Sequence, residues 1–395
     1  MKKLLSFLII LLLACPLAMV SQNRSIAFVD KPMAELLQMA KDQDRMIFLD
    51  AFTSWCGPCK WMAANMFTND TIADYYNKTF ICAHSDMEKG EGPELARAFQ
   101  VRAYPTLLFI NKAGEMVHMR VGAPQKVRDY LDMGRVALTP GEGFAACARK
   151  YKEGERDPKF IMKYLDRLQG AYQPVTEPLN QYFAAQKEID LLNRDNWMMI
   201  YQFQNDIDSK EFNYLASHQK EFAKLYTRDS VNSKISGVCS QAIYMLGRSR
   251  NFNETTFGVL KEKIMNLKFD DAGKTIFEGE LNIYLMKGEA DKYLLLAYTD
   301  LDKFYSRDDA RLNTAAKSFI QMATDPKYLE KAAQWARKSI DIRSTPENND
   351  LYANLKFKLG NKPEAVKYEK QALELALKLK VPTESYEASL KKFGE

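Results

Sequence analysis

Cys56 and Cys59 stand three residues apart in the stretch Trp55-Cys56-Gly57-Pro58-Cys59-Lys60. Before them lies the apolar run Met46 to Phe52, which reads as a buried strand; after them Trp61 to Phe67 is rich in helix formers. Two cysteines at this spacing, at a strand-to-helix junction, are a redox signature. At the first turn of a helix, unpaired N–H groups and the positive end of the dipole favour an anion. A thiolate at Cys56 would be that anion, with a pKa below the ~8.5 of a free thiol. Cys59 follows one turn later, roughly 5–6 Å away, which is close enough for a disulfide. Gly57 leaves the approach to Cys56 open, and Pro58 fixes a helical φ where its missing N–H costs little. An inert bridge or a metal site is the alternative. Zinc would need four ligands, yet there is no second such pair, and His84, His118 and His218 are widely spread. The metal assignment is therefore none.

The elements that must hold this pair can be read around it. Met33, Leu36, Leu37 and Ala40 fall on one helical face after Pro32, ahead of the strand. Asn69 and Asp70 can cap a helix containing Ile72, Tyr75 and Tyr76. Phe80 to Ala83 reads as the next strand, and Pro93 starts a helix carrying Leu95, Ala98 and Phe99. Thr106 to Ile110 is a buried strand joined through the turn Asn111-Lys112-Ala113-Gly114 to a strand over Met116 to Val121. A last helix carries Val127, Tyr130 and Leu131. Parallel strands joined through helices and a closing antiparallel hairpin make a mixed sheet. His118 on the last strand reads as a satisfied or exposed residue, and His84 at a strand end draws only slightly more suspicion.

The hexapeptide from Trp55 to Lys60 resembles the active-site segment of the thioredoxin superfamily residue for residue, and the resemblance runs from about Asp30 to Arg135. It implies an α/β thioredoxin-like domain in which Cys56 attacks and Cys59 resolves. It also implies that Asp50 is a buried carboxylate assisting proton transfer at Cys59, and that Tyr104-Pro105-Thr106 is a cis-proline loop. Trp55, Gly57, Pro58, Tyr104 and Pro105 would then contact substrate. Two departures stand out. Tyr104 is bulkier than the residue usual before the proline, and the lysine that often pairs with the carboxylate has no counterpart, Cys82 falling near its place.

Met1-Lys2-Lys3 and the apolar run Leu4 to Leu13 have the charged start and h-region of a secretory signal, and Pro16 leaves the run short of the ~20 residues of a membrane span. Leu12-Leu13-Ala14-Cys15 also resembles the bacterial lipoprotein box, so an exported, periplasmic protein is expected, with a lipid anchor on Cys15 as the variant reading. The expected organisation is a leader over 1–21, the thioredoxin-like domain over 22–138, a helical domain over 139–310 and helical repeats over 311–395 continuous with it. Thr139-Pro140-Gly141 marks the first boundary. Beyond it only helical periodicity appears, broken near Pro174, Asn193, Asp206, Arg228, Gly247, Asp270, Gly288, Asp325 and Thr345. In the tail, Glu330 to Ile340 matches Pro363 to Leu373 at an offset close to the 34 residues of tetratricopeptide repeats. Fold class is thus α/β followed by all-α helical hairpins.

With 46% apolar and 27% charged residues the chain reads as globular, and a net charge of +5 asks for no acidic partner. No basic cluster interleaved with aromatics suggests nucleic-acid binding. Cys82, Cys147 and Cys239 are too scattered for a disulfide framework and read as buried small residues. The expected activity is that of an exported thiol–disulfide oxidoreductase acting on protein disulfides, with no cofactor. Gly-Pro between the cysteines resembles reductants, which implies a membrane thiol electron donor; oxidase or isomerase activity is the close alternative. A second class of function is a helical adaptor that uses the first domain to bind polypeptide. Helical stacks commonly form concave partner-binding surfaces, so a protein partner is expected there, with no binding residues assigned.

Overall fold

The computed structural model describes residues 24–394, and the expected leader and Cys15 lie outside them. The described chain folds as two compact units, one through Lys187 and the other from Glu188.

The first unit is built on β1 (Met46–Phe52), the central apolar run of the sequence. Successive side chains of a strand point to opposite faces, and β1 is covered on both. Around it the elements are α1 (Met33–Asp42), α2 (Gly57–Asn65), α3 (Asp70–Thr79), β2 (Phe80–Asp86), α4 (Gly92–Ala98), β3 (Thr106–Ile110), β4 (Met116–Val121) and α5 (Val127–Leu138). The sheet order is β2-β1-β3-β4, with β1 parallel to β2 and antiparallel to β3, and β3 antiparallel to β4. This is the expected mixed sheet.

One core layer joins Ile47, Leu49 and Ala51 to Leu36 and Ala40 of α1 and Leu95 of α4. The other joins Phe48, Cys82, Leu107 and Phe109 to Met62, Tyr76 and Tyr130 from α2, α3 and α5. Burying each large apolar side chain contributes about 1.5–3 kcal/mol, so the alternation along β1 fixes its register firmly. Asp50 falls on the same face as Phe48, on the side of α2. Asn69 caps α3 as its residue type suggests, its Oδ1 accepting from the N–H groups of Thr71 (3.1 Å) and Ile72 (3.3 Å).

Three helices complete this unit: α6 (Phe144–Lys152), α7 (Pro158–Gly170) and α8 (Thr176–Ala184). The first two pack on β4, at the sheet's edge. A Cβ at Gly143 would lie 2.5 Å from the Val117 carbonyl oxygen, so only glycine permits α6 to start that close to β4.

The second unit is helical among its described residues. The helix Arg228–Arg248 lies against the helix Ala272–Lys287 at glycine contacts; a Cβ at Gly279 would meet Ile243 Cγ2 at 2.6 Å. The sequence breaks fall at helix boundaries for a local reason. Asn193, Asp325 and Thr345 are N-caps, and Gly288 adopts φ +70 at a C-cap. Trp335 and Tyr368, the aromatic positions of the two matched tail segments, are both buried. The Trp335 indole donates to Asp302 at 3.0 Å.

Candidate active site

Cys56 is the N-cap of α2, as the strand-to-helix reading requires, and its Sγ accepts from the Cys59 N–H at 3.1 Å. The two cysteines form a disulfide with Cα atoms 5.3 Å apart. Both are buried. Pro58 sits in the first turn of α2. A Cβ at Gly57 would meet nothing within 4 Å, so that glycine opens space in front of the disulfide instead of relieving a clash within the chain.

On one side of the disulfide the surface is aromatic and exposed. Trp55 is 64% exposed; its Nε1 donates to both Glu88 carboxylate oxygens at 3.0 Å, and its ring meets Tyr104 edge-on with centroids 6.0 Å apart. That contact holds the Tyr104–Pro105 loop beside the motif. The Tyr104–Pro105 bond is cis, the Pro105 carbonyl accepts from the Gly122 N–H at 2.8 Å, and the Thr106 hydroxyl donates to Ala103 at 2.7 Å. Partial burial, with Glu88 and Asp86 nearby, pushes the Tyr104 hydroxyl pKa upward. Of the residues for which sequence similarity implied substrate contact, Trp55 and Tyr104 thus meet through their rings, and Pro105 is buried behind Tyr104.

On another side is Asp50, 6% exposed, with Oδ1 lacking any hydrogen-bond partner. Burial raises its pKa to about 7. Asp50, Thr53, Cys59, Phe28, Phe67 and His84 line a cavity of about 400 Å³. Cys56, Tyr104 and Pro105 are not part of that lining, so Cys59 is the cysteine that looks toward the carboxyl group. The Thr53 hydroxyl is also buried without a partner.

Cys82 does not occupy the place opposite the carboxylate. In the β1–β2 register it pairs with Phe48, and His84 is the residue across from Asp50. Parallel pairing puts register partners on the same face, so His84 shares Asp50's cavity, exposed at its rim and stacked on Phe28 with centroids 5.0 Å apart. Counting both strands from their first apolar residues would have revealed this, but only once their pairing was known. His118 departs from its expected satisfied or exposed state. It is 4% exposed, stacks on Phe109, and leaves Nδ1 unpartnered. Burial, with Arg167 and Arg120 nearby, lowers its pKa to about 3, so it is a neutral ring away from the disulfide's cavity.

The Thioredoxin family model matches residues 31–132. A thioredoxin of Chlorobaculum thiosulfatiphilum is 34% identical over 85 residues, which span 22% of this chain and 73% of that protein. The chain belongs to the thioredoxin family. Thioredoxin H4 of Arabidopsis thaliana is 40% identical over 87 residues, covering 22% of this chain and 68% of its own length. A solved candidate disulphide-isomerase from Bacteroides thetaiotaomicron is 42% identical, with 30% of this chain and 98% of that one covered and a TM-score of 0.28. All these matches concern the sheet-bearing part. The protein therefore carries a thioredoxin-type oxidoreductase domain with a Cys56–Cys59 disulfide, to which the helices after α5 are additional.

The remaining cysteines described in this thioredoxin-family chain are free and buried: Cys82, Cys147 and Cys239. Burial pushes the thiols of Cys82 and Cys239 up to about 12, which leaves them protonated and unreactive. Among the described residues no group of three or more His, Cys, Asp or Glu could hold a metal ion.

Proposed function

We propose that this protein is an exported reductase of protein disulfides. The observation that carries the reading is the asymmetry of the site: Cys56 caps a helix beside the exposed Trp55–Tyr104 surface, while Cys59 shares a cavity with a carboxyl group of pKa about 7. In the dithiol form, the Cys56 thiolate is stabilised by the N–H groups and dipole of α2. It attacks one sulfur of a client disulfide laid along Tyr104 and Pro105. The client's S–S bond breaks, a mixed disulfide forms on Cys56, and one client thiolate leaves. Asp50 takes the Cys59 proton, and the Cys59 thiolate attacks Cys56 Sγ. The second client thiolate leaves and is protonated. Two electrons have passed to the client, and the Cys56–Cys59 disulfide remains.

Restoring the dithiol requires a thiol donor, which for an exported protein is a membrane thiol carrier. The helical remainder selects the client or a protein partner. The first measurement is the reduction potential of the pair by equilibration with glutathione. A value near the ~−270 mV of thioredoxin supports a reductase, whereas one near ~−120 mV makes the protein an oxidant. A pair that does not exchange leaves an adaptor, and so does full function in Cys56→Ser. Fractionation of cells tests export: protein confined to the cytoplasm overturns it.

A further inference from the structure

In the second unit, Lys234 lies on the inward face of the helix Arg228–Arg248, flanked by Val231, Ile235 and Val238, each 2% exposed or less. Lys234 itself is 7% exposed. Lysines are almost never buried without a pairing charge. Yet the Lys234 ammonium makes a single hydrogen bond, to the neutral Asn205 Oδ1 at 3.3 Å, and no ion pair involving it occurs among the described residues. Burial alone lowers its pKa to about 8, with no nearby carboxylate offsetting it. A long side chain that merely snorkels would carry its head into water. Here the head group is held at a cleft of about 410 Å³, lined besides Lys234 and Val238 by Tyr201, Asn205, Ser233, Gly237 and Gln241.

The lining holds one cation, two amides and two hydroxyls, and no aspartate or glutamate. A buried charge lacking its partner is costly, whereas a charge-assisted hydrogen bond recovers much of that cost. We propose that this cleft is a carboxylate-binding site, in which Lys234 pairs with the carboxylate, Asn205 and Ser233 hydrogen-bond to it, and Gln241, about two turns further along the helix, contacts the rest of the ligand. A single positive charge with no guanidinium matches a monoanionic carboxylate better than a phosphate dianion. The volume suits a small organic acid or one acidic group of a polypeptide. The site is independent of the redox reading, because no residue of the disulfide or its cavity belongs to it.

The test is calorimetric titration of the full-length protein with two probes: butyrate, a monoanion at neutral pH, and an end-blocked hexapeptide carrying one Glu, with its Gln counterpart as control. Binding of butyrate alone identifies a small acid, binding of the Glu peptide alone identifies a polypeptide group, and either of these, or both together, supports the site. Lys234→Met is expected to weaken that binding at least tenfold, while reduction of a small disulfide is unchanged. Its fold is checked by circular dichroism. Should it not fold, the double variant Ser233→Ala/Gln241→Ala, at exposed positions, takes its place with an expected loss of severalfold. No binding of either probe, equal binding of the Glu and Gln peptides without butyrate binding, or an affinity unchanged in the folded variant overturns the proposal.

Discussion

Replacing Asp50 by Asn removes a charge from the least hydrated carboxyl group of the site while keeping its shape. Burial raises the Asp50 pKa from 3.8 to about 7 in the folded protein. Between those two values the unfolded chain has lost its proton and the folded one keeps it, so stability falls as pH rises through that window. Below pH 3.8 both states are protonated and above about 7 both are ionised, so the loss is confined to the interval. At 1.36 kcal/mol per pH unit it amounts to about 4 kcal/mol. An amide in place of the carboxyl group does not titrate, so the variant escapes this loss. The amide brings one N–H donor more than the protonated carboxyl group, and leaving it unpartnered in this buried place costs about 1–3 kcal/mol at every pH. The net gain at pH 8 is then roughly 1–3 kcal/mol. Urea unfolding of wild type and Asp50→Asn, both with the disulfide intact, should be followed at pH 4, 5.5, 7 and 8.5. The variant's advantage must grow with pH and level off above 7, while its turnover at pH 7 drops about 10²-fold or more because Cys59 loses its base. An advantage that does not change with pH, or turnover equal to wild type, would refute the argument.

Other consequences are accessible to simple assays. Cys59→Ser should hold clients as a mixed disulfide on Cys56, visible as a slower band on non-reducing gels that reductant removes; Cys56→Ser should give none. Glu369 is fully buried against Asp350, and burial, with the charge of that carboxyl group and the hydrogen bond between the two, raises its pKa from the ordinary 4.5. Stability contributed by its protonated form is therefore present at acid pH and lost as pH climbs through the raised value, and Glu369→Gln should raise the urea midpoint of the C-terminal helices more at pH 9 than at pH 5. Gly279→Ala places a methyl 2.6 Å from Ile243 and should destabilise the helical unit by about 1–3 kcal/mol in chemical denaturation, with disulfide reduction unaffected.

What the sequence alone determined here is local. The Cys-x-x-Cys pair and its helix start follow from residue types within ten positions. So do the N-cap Asn69, the helix breaks near Asn193, Gly288 and Thr345, and the alternation that puts Asp50 on Phe48's face. Hydrogen bonds to neighbouring backbone and the two periodicities need no distant partner to be read. The tertiary structure decided what depends on pairing across the chain. It set His84, not Cys82, opposite Asp50, because a parallel register is fixed by the whole buried face of two strands. It buried His118 with Nδ1 unpartnered, and it joined α6, α7 and α8 to the sheet-bearing unit. It also left Asp50 and Lys234 buried without counter-ions. Desolvation depends on what surrounds a group in space, and no stretch of sequence around either residue reports it.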